Sequence, residues 1–102
     1  MEHYRVFLRG ENFILDADGE AVSFGFYTTR FVEAESHEAA EILAVDLIRG
    51  DRELAGVKNT ADNPPIIHLE EIEEIAVNEV QVNTGYAFFR MDDEAHEAGN
   101  HG

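Results

Sequence analysis

The residues of this chain best able to do chemistry fall into two groups. His68 is followed closely by Glu70, Glu71, Glu73 and Glu74, an imidazole beside four carboxylates. Carboxyls in unlike environments can divide acid and base roles, because the more desolvated one keeps its proton. A run of acids is also the pattern of a solvated rim, and a histidine between Ile67 and Leu69 reads as a structural group that could pair with Glu70 across one pleat. The second group is Arg5, Arg9, Arg30 and Arg90, four of the seven basic residues, all in strand-like stretches. Arg5 and Arg9 share a face by parity. Joined by Arg30 or Arg90 in a suitable register, they would form an anion or carboxylate site. The plain alternative is cross-strand pairing with acids such as Glu33.

Other chemistries have no residues to carry them. The chain has no cysteine, which removes disulfides, zinc–thiolate sites and cysteine nucleophiles. None of His3, His37, His68, His96 and His101 has the i, i+4 spacing of a helical zinc pair. Asp16-Ala17-Asp18-Gly19 has the wrong spacing for a calcium loop: its glycine comes too early, and Tyr27 stands where the bidentate glutamate belongs. There is no glycine-rich phosphate loop, and of the two serines, Ser23 and Ser36, the second is needed as a helix cap. No catalytic residue, metal ligand or cofactor is therefore assigned, and the expectation is a protein that is not an enzyme.

With 22 acidic against 7 basic residues, the net charge is −15. A field of that sign repels phosphate backbones, so nucleic acid is not an expected partner. It suits a basic protein surface, up to mimicry of nucleic acid, and it equally suits plain solubility. No stretch approaches the length of a membrane span and no basic start precedes an apolar run, so a cytoplasmic location is expected.

These groups need elements to hold them. His3–Arg9 reads as a strand, Gly10-Glu11-Asn12 as a turn, and Asn12–Asp16 as a second strand. Asp18-Gly19 signals a hairpin, returning as the aromatic and β-branched strand Ala21–Ala34. Ser36 is the N-cap of a helix over 36–50, with Glu38 in its first turn, Arg49 in its last and Gly50 as its stop. Ala40, Leu43, Ala44, Leu47 and Ile48 form the expected core stripe. Asp51–Ala55 reads as a further helical turn, with Leu54 and Val57 inward, and 58–65 as a loop. Ile66 to about Ile72 reads as a strand, Glu79–Val82 as a brief pairing, and Tyr86–Met91 as a last strand with Phe88 and Phe89 on opposite faces. Residues 92–102 read as an acidic tail beyond a single domain over 1–91.

The expected fold is α+β: an antiparallel sheet of about five strands in β-β-β-α-β-β order, with one main helix on one face. One helix cannot shield Phe7, Tyr27, Phe31 and one of Phe88 or Phe89 together, because strand parity divides them. Ile42 and Val45 also point away from the Leu43/Leu47 stripe at about 100° per residue. The aromatic imbalance points to a homodimer, while Ile42 and Val45 read either as plain exposure or as a second contact, with a subunit or with a long loop folding back.

YRVFLRGENFIL, GFYTTRFVEAES with its alanine-rich helix, PPIIHLEEIEEI and GYAFFRMDDE together resemble a family of short uncharacterised bacterial proteins. The resemblance implies a small cytoplasmic domain and brings no catalytic residues with it. The leading expectation is a homodimeric protein-interaction or regulatory module. The alternatives are an acidic inhibitor of a basic surface and a small-ligand protein or enzyme built on His68 and its neighbouring acids and arginines.

Overall fold

A computed structural model describes residues 1–83 and 85–91. Its elements run β1 (Glu2–Ala17), β2 (Glu20–Ala34), α1 (His37–Arg49), a 3-10 turn (Arg52–Leu54), β3 (Ile66–Ile75), a second 3-10 turn (Val77–Glu79) and β4 (Ala87–Arg90). The four strands make one antiparallel sheet in the order β3-β1-β2-β4. The expected tail over 92–102 lies outside the described residues.

The first half is a single long hairpin. Ala17 pairs with Glu20 around Asp18-Gly19, whose φ angles of 52° and 88° are both positive, as a two-residue primed turn requires. The expected turn at Gly10-Glu11-Asn12 does not occur. The β1–β2 register slips between Gly10 and Phe13, Asn12 takes φ 61°, and the strand continues. Asparagine tolerates this left-handed backbone, so extra residues enter as a bulge instead of reversing the chain. The expected three-stranded meander is thus two strands, and among the described residues the sheet has four strands, not five.

The loop before β3 locks that bulge. Asn12 Nδ2 donates to Asn63 Oδ1 and the Pro64 carbonyl, and Ser23 Oγ donates to Asn12 Oδ1. Asn59 donates to the Asn12 and Asn63 carbonyls and accepts from Ile14 N, while Lys58 N donates to the Ile14 carbonyl. The asparagines that mark this stretch as a loop also hold it against β1.

Helix α1 begins and ends where its caps predict. Ser36 Oγ accepts from Ala39 N at 3.1 Å, and Gly50 N donates to the Asp46 carbonyl. Its buried line is Ala40, Ala44 and Ile48, flanked by Ala39 and Val45, which pack against the core. The expected stripe is rotated: Leu43 and Leu47 are 43% and 46% exposed, and Val45 faces inward. Small Ala40 and Ala44 bring the helix axis close to the sheet, and that leaves the longer leucines on the rim. Ile42 does point outward, at 62% exposure.

The core between helix and sheet holds Tyr4, Val6, Leu8, Phe13, Phe26 and Leu54 with that helical line. β3 extends to Ile75, past the expected end at Ile72. Glu79–Val82 forms no strand; Val77–Glu79 is a 3-10 turn in which Glu79 Oε1 accepts from Ala76 N. The chain then reaches β2 on its other side, where Asn83 Oδ1 accepts from Phe31 N at 2.6 Å.

Candidate functional site

Along β2, and along β1 as far as Gly10, alternation sends even-numbered residues toward α1 and odd-numbered ones to a face that no element of the described chain covers; beyond the bulge β1 changes parity, and Phe13 lies in the core. In register, Arg5 lies between Phe31 and Glu73, Phe7 between Thr29 and Glu71, and Arg9 between Tyr27 and His68. A row of rings crosses this open face diagonally to the strands, stepping two residues along β2 from one ring to the next. Phe7 stacks on Tyr27 at 5.7 Å between centroids and 10° between planes, and Tyr27 meets Phe89 at 5.6 Å. Phe89 can lie there because its partner is Gly25, where an added Cβ would fall 2.4 Å from its ring. Tyr27 is 39% exposed, and Phe7, Phe31 and Phe89 are partly so.

Charged side chains fill the β3 side of the face. Arg5 Nη2 lies 2.8 Å from Glu73 and 3.2 Å from Glu71. The hydrogen bond to Glu73 and its charge raise the guanidinium's pKa further above its ordinary value. Arg9 reaches Glu11 at 3.5 Å and Glu70 at 3.6 Å. His68 Nε2 lies 2.7 Å from Glu11 Oε2. The expected His68–Glu70 pairing is therefore replaced: a register slip between Phe7 and Leu8 turns Glu70 to Arg9, and Glu11, from the next strand, takes the imidazole. The cross-strand acids of Arg5 are Glu71 and Glu73 instead of Glu33. Four carboxylates face two guanidiniums here, so the rim is acidic.

Two of the four arginines expected to share this face do not. Arg30 has even parity and lies on the helix side, 3% exposed. Its guanidinium donates to Thr28 Oγ1 and the Thr29 carbonyl, lies 3.3 Å from Asp51 Oδ2, and sits 4.8 Å above the centre of the Tyr86 ring. Arg90 pairs with Phe24 in β4, which gives it the same parity as Phe88, and it borders a cleft with Glu20–Ser23. Phe88 packs edge-on against Phe24 and Phe26 on the helix side, opposite Phe89, as the sequence indicates.

The Arg30–Asp51–Tyr86 cluster has no local sequence signal, since its members come from a strand, the residue after the helix and a loop. Asp51 is held below the usual carboxylate range first by the Glu53 N–H, then by the Tyr86 hydroxyl and by Arg30. Burial, with the bond to Asp51, pushes the Tyr86 hydroxyl up to about 12. Beside this cluster is an open cleft of about 320 Å³ lined by Leu47, Glu53 and Asn83, and a more apolar one of about 430 Å³ lies between Leu15, Phe24 and Phe88.

Among the described residues no group of three or more histidine, aspartate or glutamate side chains is placed to hold a metal ion, and no helix is long and apolar enough to cross a membrane. Of the expected contact residues, Phe7, Tyr27 and Phe31 share the open face, whereas Ile42 is on the outer side of α1 and Val45 beneath it. Compared with family models, curated proteins and solved structures, the chain matches none.

Proposed function

We propose that this chain is a non-enzymatic, homodimeric protein-interaction module of the cytoplasm whose open sheet face is its contact surface. The observation that carries the reading is the Phe7–Tyr27–Phe89 row, aromatic area placed on a face that the single helix leaves uncovered. Flat aromatic side chains supply contact area at low entropic cost, and interfaces are enriched in them. The resemblance noted in the sequence, to small bacterial proteins without catalytic residues, agrees with this. So does the geometry around His68, which engages Glu11, while the neighbouring glutamates are bridged to Arg5 and Arg9.

The acidic rim selects the partner. A protein presenting an apolar centre ringed by lysine or arginine complements this face. A reading as an acidic inhibitor or nucleic-acid mimic uses the net charge of −15 instead of the rings. Salt separates the two: at roughly 1 M, where charges are screened beyond about 3 Å, ring-driven binding persists and charge-driven binding is lost. In a pull-down from the native host, the protein captured by the intact chain should be retained in salt and lost with Tyr27→Glu, with the helical and sheet circular dichroism unchanged. Capture by Tyr27→Glu equal to that of the intact chain would overturn the reading.

A further inference from the structure

β3 is the outermost strand of the sheet, ten residues long, and among the described residues no backbone group bonds to its outer side. An open edge of about 33 Å is a template for another strand. The facing of its side chains says which strand fits. Ile67, Leu69, Ile72 and Glu74 lie opposite Gly10, Leu8, Val6 and Tyr4 on the helix side. The register slip at Phe7/Leu8 inserts Glu70, whose bridge to Arg9 puts it on the open face beside Glu71. Read outward from the midpoint between Glu70 and Glu71, the sequence of faces is the same in both directions. An unbulged strand of this length would not have that symmetry about a point between two residues.

The hydrogen-bond phase agrees. Phe31 N donates outward to Asn83, away from β1. Antiparallel bonding alternates, so Arg5, Phe7 and Arg9 direct their backbone groups to β3. Ile67, Leu69, Ile72 and Glu74 then present theirs to the free edge.

We propose that two copies of this chain pair antiparallel through β3, Leu69 of each opposite Ile72 of the other, forming one eight-stranded sheet. In this register every side chain meets one on its own face. Ile66 stands opposite Ile75, and His68 opposite Glu73, each twice. The one like-charged pair, Glu70 against Glu71, is neutralised within each copy by Arg9 at 3.6 Å and Arg5 at 3.2 Å. Outward-facing groups meet outward-facing groups, giving about eight interchain hydrogen bonds. Both helices fall on one side and both ring rows on the other. The inference goes beyond the reading of the open face, which it leaves free for another protein.

The native chain should sediment as a dimer at tens of micromolar. The chain has no cysteine, so single-cysteine variants report cleanly. His68 and the other copy's Glu73 form a non-hydrogen-bonded pair whose Cβ atoms lie about 4.5 Å apart, within disulfide reach. Mixing His68→Cys with Glu73→Cys under mild oxidation should give a linked dimer. Each variant alone should not, since like positions are five residues apart, about 17 Å. Ile66→Cys mixed with Ile75→Cys, whose like positions are about 30 Å apart, tests the same register without touching the His68–Glu11 contact. Tyr27→Glu should leave both cross-links intact. A monomer at these concentrations, or a dimer that forms neither cross-link, overturns the proposal. A dimer abolished by Tyr27→Glu would instead place self-association on the open face.

Discussion

Asp51 Oδ2 accepts the Tyr86 hydroxyl at 2.7 Å while lying 3.3 Å from Arg30 Nη2, so one carboxylate oxygen answers both a buried guanidinium and a phenol. This joins the end of α1, the middle of β2 and the approach to β4. Asp51→Ala removes a charge-assisted hydrogen bond from the enclosed Arg30, which keeps its bonds to Thr28 and Thr29, and takes the acceptor from the Tyr86 hydroxyl. It should cost about 2 kcal/mol in urea unfolding. Tyr86→Phe, which removes one hydrogen bond, should cost about 1 kcal/mol.

The same contact sets a pH dependence at both ends. Asp51 has a lowered pKa in the folded chain, so its contribution is complete above the unfolded value and is lost as pH falls through the folded one. Tyr86 is raised to about 12, so its contribution is complete below the ordinary value of 10.0 and fades as pH climbs toward 12. Thermal melts of Tyr86→Phe should lose that alkaline part of the profile and keep the acid part. An unchanged alkaline limb would place the titration elsewhere.

Glu74 and Glu2 meet at the sheet end, and their shared hydrogen bond and like charge raise the Glu74 pKa. A carboxyl raised in the folded state favours folding below its unfolded pKa and opposes it once ionised. Glu74→Gln should therefore raise the melting temperature at neutral pH and change little in acid. A lower melting temperature at pH 7 would contradict the pairing.

Two glycines are there because rings need their space. A Cβ on Gly10 would lie 2.1 Å from the fully buried Phe26 ring, and one on Gly25 2.4 Å from Phe89. Overpacking of this kind costs about 1–3 kcal/mol. Gly10→Ala should approach the upper figure, because Phe26 has no room to yield. Gly25→Ala should cost less, since Phe89 can swing toward solvent, and should reduce the fluorescence coupling of the Tyr27 ring row. Equal unfolding midpoints for the two variants would refute this ordering.

Asn59 ties the 58–65 loop to β1 through two hydrogen bonds, to Ile14 N and the Asn12 carbonyl, and braces the loop itself through a third to the Asn63 carbonyl. Asn59→Ala should cost about 2 kcal/mol, since it also strips the Ile14 N–H of its acceptor. Hydrogen exchange at Ile14 should accelerate selectively, ahead of the amides of α1.

Several features of this fold were local and therefore legible in the residues. The Ser36 cap and Gly50 stop bound α1, Asp18-Gly19 folds the hairpin back, and the opposed rings of Phe88 and Phe89 follow from strand alternation alone. That one helix leaves aromatic sheet uncovered also followed from counting elements.

What only the tertiary structure decided is register, and with it the face of every residue beyond a bulge. Gly10-Glu11-Asn12 has turn composition, yet whether it reverses the chain or bulges depends on Asn59, Asn63 and Pro64, about fifty residues away. Glu70 meets Arg9, and His68 meets Glu11, because one residue is inserted between two otherwise regular pairings. Arg30 is inside and Arg5 outside by a parity that their identical side chains cannot reveal. Local chemistry fixes the ends of the helix and the tip of the hairpin, whereas the pairing of distant strands fixes how far a strand runs and which way its side chains point.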